Sequence, residues 1–156
     1  MTQIDTQSLG RFLNDTNNST YANKDAAKAP ATRPQSEDYH FEQGDFVYHD
    51  TYFGDRDFIG GEVVYKDNVP VWGMNYYGYI LVPSVSEKTV YNFLREALMQ
   101  EDAGVIPVRG PASHESNDWR YVNIHVGGLD RFTGKEEIYQ GGVLVYRADY
   151  HGGFIS

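Results

Sequence analysis

The spacing of apolar residues divides the chain into helical and strand-like stretches. From Thr6 to about Asn17, Leu9, Phe12 and Leu13 recur at helical spacing, and Asp5 or Thr6 is placed to cap the first turn. A short amphipathic helix is expected there. Asn17 to Gln35 is rich in Asn, Ala, Ser and Thr, with Pro30 and Pro34 as breakers, and reads as a flexible loop. Its length exceeds an ordinary connection, which leaves disorder or a flap over a site as the two readings.

From Asp38 the period changes to two. Tyr39–Glu42, Phe46–Phe53, Phe58–Lys66 and Val69–Val82 alternate as strands do, separated by turn signals at Gln43-Gly44-Asp45, Gly54–Asp57 and Asp67-Asn68. Four such strands joined by tight turns predict an antiparallel meander. A helix over 84–101 follows, with Ser84 and Glu87 at capping-box spacing and Val90, Phe93, Leu94, Ala97 and Leu98 on one stripe. Val105–Asn117 reads as irregular, and three further strands are expected over Trp119–Val126, Gly134–Tyr139 and Val143–His151. The fold class is therefore α+β: a curved antiparallel sheet of about six to eight strands, with one long helix and one short N-terminal helix packed on it. The pattern shows no internal repeat of fixed period and no linker. Residues 1–156 are read as a single domain, with 1–36 forming the N-terminal helix and loop and 37–156 the sheet core around the central helix.

Composition narrows the chemistry. The absence of cysteine excludes disulfides, zinc-thiolate sites and thiol nucleophiles. The net charge of −9 is concentrated after Ser36, where nine basic residues face nineteen acidic ones. Such a surface repels phosphate backbones, so no direct nucleic-acid binding is expected. No apolar run approaches membrane-spanning length and Met1–Gly10 lacks signal-peptide character, so a cytoplasmic location without membrane association is expected. The 13 Tyr, 8 Phe and 2 Trp suit half-buried strands and the walls of clefts.

Polar groups embedded in the aromatic strands are the candidates for a site. Asp50, Glu62 and Asn75 stand among Tyr52, Trp72, Tyr76 and Tyr77, and burying a carboxylate there is costly unless a partner or ligand compensates. Arg109, in a loop between two prolines, can supply a counter-charge, and His151 beside Gly152-Gly153 is a second candidate ligand-binding group. A plainer reading pairs Asp50 or Glu62 with Arg109 or Arg120 inside the sheet. Asp149 with His151, and Asn123 with His125, share faces at i and i+2, but no established metal-ligand spacing is present and neither metal nor cofactor is expected. Phosphate-binding loops and a nucleophile elbow are missing as well, and Glu136-Glu137 would point to opposite faces of a strand rather than form a dyad.

Several strings occur in an order that resembles a known family: Gly44-Asp45-Phe46-Val47-Tyr48, Asp50-Thr51-Tyr52, Phe58-Ile59-Gly60-Gly61-Glu62, Trp72-Gly73-Met74-Asn75-Tyr76-Tyr77-Gly78, Arg109-Gly110-Pro111 and Tyr150-His151-Gly152-Gly153. Across roughly Phe12 to Ile155 the chain resembles a bacterial domain-of-unknown-function family whose members occur alone or downstream of an Xre-type helix-turn-helix domain. The resemblance implies a sensory role without a known reaction, and the chain departs from the fused members in having no helix-turn-helix. Three functions follow as expectations. The first is a small-molecule-binding or regulatory domain. The second is a small acid–base enzyme, a hydrolase or isomerase, using Glu62, His151 and Arg109. The third is an acidic protein-interaction module. Homo-oligomerisation stays open.

Overall fold

The computed structural model describes residues 4–156. Helix α1 (Thr6–Ser19) leads into β1 (Glu37–Gln43), β2 (Phe46–Phe53), β3 (Asp57–Lys66) and β4 (Val69–Ile80). Helix α2 (Glu87–Leu98) precedes β5 (Ser113–Ser116), β6 (Trp119–Gly128), β7 (Arg131–Gln140) and β8 (Val143–Phe154). All eight strands form one antiparallel sheet in the order β1-β2-β3-β4-β8-β7-β6-β5. No helix among the described residues is long and apolar enough to cross a membrane.

Both helices bury their stripes on the same face of the sheet. Leu9, Phe12 and Leu13 of α1 pack with Tyr48, Trp72, Met74 and Tyr76. Val90, Phe93, Leu94, Ala97 and Leu98 of α2 pack with Tyr121, Ile138, Val145 and Tyr146. The other face carries exposed Ile59, Tyr77, Ile124 and Val126. Two-residue turns close the β1–β2 and β3–β4 hairpins where the sequence predicts turns, and three residues, Gly54–Arg56, close β2–β3. Asp67 and Asn68 both have positive φ (51° and 63°), the conformation that matches strand twist in two-residue turns.

Some expectations are corrected. The N-terminal helix is the longer of the two, at 14 residues against 12, so the reading of one long central and one short N-terminal helix fails. Asp5 caps α1 through the backbone amides of Gln7 and Ser8, and the hydroxyls of Thr16, Ser19 and Thr20 bond back to carbonyls one turn earlier, carrying the helix through its polar end. Helix α2 starts at Glu87 with Ser86 at its N-cap, so the Ser84–Glu87 capping box does not form. Strand β5 lies within the stretch expected to be irregular. The segment after α1 is pinned to the sheet: Ala29 bridges Asp38, and the buried Asp38 carboxylate accepts hydrogen bonds from Thr32, Ser36 and Thr51 and meets His49 at 2.7 Å.

The repeat of fixed period that the sequence lacks is replaced in the fold by one whose spacing changes along the chain. The chain is helix plus four-stranded meander, twice over. The sheet order reads the same from either edge, and the β4–β8 register is symmetric about the pair Tyr76–Tyr150: Trp72 faces Phe154 and Ile80 faces Tyr146. Equivalent residues lie 73 positions apart before the β2–β3 turn (Tyr48 and Tyr121) and 74 apart after it (Glu62 and Glu136), the second half having one more residue in that turn. Gly54 and Gly127 open the two turns with φ of 95° and 98°, and a Cβ on either would stand 2.1 Å from a backbone carbonyl oxygen. Both halves carry a register shift at the same place, Val64/Tyr65 and Ile138/Tyr139.

Candidate functional site

Strand register places the two buried acids side by side. Asp50 on β2 faces Glu62 on β3, so both side chains leave the sheet on the helix-bearing side. They are 3% and 8% exposed. In the next row Tyr52, Gly60 and Tyr76 are neighbours. Gly60 has no side chain, so the Tyr76 ring lies across β3 and its hydroxyl donates to Asp50 Oδ1 at 2.6 Å. A Cβ on Gly60 would stand 2.5 Å from that hydroxyl oxygen.

The acids line a cavity of about 380 Å³ between the sheet, α2 and the segment after α1. Tyr21, Tyr48, Tyr52, Phe58, Tyr76 and Tyr91 form its aromatic walls, and Arg109 enters from the loop after α2. Near the opening Lys28 pairs with Glu37 at 2.7 Å and Arg56 with Glu87 at 3.8 Å, while Asp55 and Lys88 also line the cavity and form no ion pair among the described residues. Arg95 lies over the Tyr21 ring and donates to the Tyr21 carbonyl.

Burial sets the protonation of the pair. It raises Glu62 well above the ordinary carboxylate range, and the adjacent Asp50 charge adds to this against Arg109 and the Tyr48 hydroxyl. Burial raises Asp50 likewise, opposed by the Tyr76 hydrogen bond and by Arg109. Neither acid forms an ion pair among the described residues. Arg109 is charged despite its burial because it pairs with Glu136, to which Nη2 donates. Its Nε is buried without a hydrogen-bond partner.

Of the residues singled out by sequence, Asp50, Tyr52, Glu62, Tyr76 and Arg109 meet in this cavity. Trp72 does not: it is fully buried, stacks on Phe132 and donates its indole N–H to the Leu129 carbonyl at 3.0 Å, which makes it core. Asn75, Tyr77 and His151 leave the sheet on its opposite face, in a shallow depression with Thr133 and Asp149. Glu62 and His151 are thus separated by the sheet. Arg120 lies over the Tyr139 ring and pairs with neither acid. No cluster of metal-ligating side chains occurs among the described residues. Sequence reasoning missed Tyr21, Tyr48 and Tyr91, which are an ordinary loop, strand and helix aromatic until the fold brings them together.

The site in the first half has a counterpart in the second. Tyr150 crosses Gly134 and donates to Asn123 Oδ1 at 2.6 Å, as Tyr76 crosses Gly60 to reach Asp50. Asn123 faces Glu136 as Asp50 faces Glu62. Glu136, however, is fully bonded: Tyr121 and Tyr146 donate at 2.7 and 2.9 Å, alongside Arg109.

Fold and cavity together define an α+β protein with an open eight-stranded antiparallel sheet and an aromatic, acid-containing cavity under its helices. The chain belongs to the DUF5680 family, a domain of unknown function whose model matches residues 50–155. The match begins at Asp50, so it takes in both carboxyls and Arg109 but not α1. No curated protein and no solved structure matches the chain.

Proposed function

We propose that the chain is a cytoplasmic small-molecule-binding domain with a regulatory, sensor-like role, and that the cavity between the first half of the sheet and α2 is its ligand site. One observation carries the reading: two adjacent buried carboxyls face a cavity of about 380 Å³ with aromatic walls and no ion-pair partner among the described residues. Concave, mostly aromatic cavities of a few hundred Å³ with a few fixed polar groups are where proteins hold small ligands. Burying two carboxyls is costly, and a ligand able to bond them would recover that cost on binding.

The test is a thermal-shift screen of the purified protein against metabolites, run in parallel on a Tyr52→Ala variant that removes one wall. A ligand selective for the folded state raises the midpoint, with ~2.7 kcal/mol of stabilisation at a hundredfold excess over its Kd. The expected outcome is a stabilising compound whose effect falls at least tenfold in affinity in the folded variant. A screen in which every stabilising compound acts equally on the variant overturns the assignment of the site, and one with no stabilising compound overturns the binding role.

A further inference from the structure

Resting on that reading, we infer that the ligand is a small organic cation, bearing a guanidinium or primary ammonium group that sits on Asp50 and Glu62 as the Arg109 guanidinium sits on Glu136. The internal duplication supplies the template. In the second half a buried glutamate is satisfied by three donors, Tyr121, Tyr146 and Arg109, and its neighbour on the adjacent strand is the neutral amide of Asn123. Charge there is balanced within the protein.

The first half keeps the glutamate and one donor and loses the rest. Tyr48 stands for Tyr121. Trp72 stands for Tyr146, and its only polar hydrogen is committed to the Leu129 carbonyl. Counting back by the same spacing, Arg109 falls on Ser36, a neutral residue whose hydroxyl bonds to Asp38 and to the Arg33 carbonyl. Asp50 replaces the amide, so a second acid is added where a cation is removed. The result is two carboxyls with no cation of their own, facing the one large cavity that reaches them. The equivalent glutamate in the second half does not line that cavity.

Two further features agree with a cationic occupant. Tyr48, Tyr52, Tyr76 and Tyr91 line the same cavity as the acids, and aromatic walls favour an organic cation. Arg109 gives its Nη2 to Glu136 and offsets Asp50 and Glu62 only in part, without a hydrogen bond or ion pair to either, so ionising both leaves net negative charge at the cavity. An anionic ligand would oppose ionisation of the acids, and a neutral one would meet carboxyls that burial holds toward their protonated form, whereas a cation pairs with both carboxylates as they ionise.

The inference is tested with four probes that share a tail and differ in the head group: butylguanidinium, butylammonium, butylurea and butyrate. Each is titrated at pH 7.5 into the wild-type protein and into Asp50→Asn and Glu62→Gln, following amide NMR signals. Asp50→Asn installs the residue that the second half already carries, and Glu62→Gln keeps the shape of a carboxyl that burial already holds toward its neutral form, so both variants are expected to fold. At least one cation should saturate signals around the cavity with a Kd at least tenfold below that of butylurea, and should weaken at least tenfold in each variant. The inference is overturned if butylurea or butyrate binds as tightly as the cations, if the variants bind the cations like wild type, or if no probe binds. Should the cations fail while a neutral or anionic metabolite loses affinity in Tyr52→Ala, the cavity remains the ligand site and only the ligand class falls. If that too is absent, both readings fall.

Discussion

Three buried acids on the first two hairpins respond to pH in opposite senses. Burial works to raise the Asp38 pKa, but hydrogen bonds from Ser36, Thr32 and Thr51 and the contact with His49 outweigh it and hold Asp38 well below the ordinary carboxylate range. The stability it contributes is present above about pH 4 and is lost as the pH falls toward its folded pKa. Asp50 and Glu62 are raised, so their contribution is fully present below about pH 4 and is lost as the pH rises from there to about pH 8. Without ligand, the unfolding midpoint is expected to fall across that window. Glu62→Gln should flatten the decline and raise the midpoint at pH 8 by about 3 °C, the shift that ~1 kcal/mol gives a chain of this size. Scanning calorimetry of both proteins from pH 4 to pH 8 checks this, and parallel slopes would show that Glu62 does not titrate in that range. Asp50 and Glu62 were legible in the sequence, because a carboxylate embedded in apolar and aromatic strands must point into the core or at a partner; Asp38, at the start of the strand pattern, was not. Nor was the direction in which each titrates. It depends on donors that come from the segment after α1 for Asp38, and on their scarcity at Glu62.

At the scale of the element, each half is organised by a tyrosine lying across a glycine. Tyr76 spans β3 over Gly60, and Tyr150 spans β7 over Gly134, where a Cβ would stand 2.0 Å from the ring. Gly60→Ala and Gly134→Ala should each push the ring away and break its hydrogen bond. The expected loss is about 1–3 kcal/mol from overpacking, measured by urea unfolding. Only Gly60→Ala should also weaken ligand binding, since Tyr76 bonds Asp50. Strand faces and hairpin turns were readable here because alternation and the Gly44-Asp45 and Asp67-Asn68 turns are local signals. Strand β5 was not, since Ser113–Ser116 contains no apolar residue and is a strand only by pairing with β6. Helix α1 outran its apolar stripe because side-chain hydroxyls, which no periodicity detects, extend it.

Across the whole molecule the largest electrostatic commitment is Arg109 to Glu136. Arg109→Met alone leaves a fully buried carboxylate without its cation and should cost about 3–5 kcal/mol. Adding Glu136→Gln removes the stranded charge and should restore most of that loss in chemical denaturation. If the double variant is no more stable than the single one, the pair is not what Arg109 contributes. The sequence named Arg109 as a counter-charge but offered the wrong acids, because Glu136 looks like half of an ordinary charged doublet until its equivalence to Glu62 is seen. That equivalence escaped the sequence because it survives mainly at inward-facing and turn positions, while the outward residues and the segment lengths before β1 and β5 have drifted apart. For the same reason Trp72 and His151 read as site residues: strand alternation tells which side chains share a face, not which face meets a cavity.

The two meanders joined at β4 and β8 amount to a tethered homodimer. A true dimer of one half would have to carry the same residue at both equivalent positions, and any change that suited a ligand would weaken the scaffold twice. Tethering lifts that constraint. One glutamate could become a closed strut holding the sheet together, while its twin kept its charge open toward the cavity.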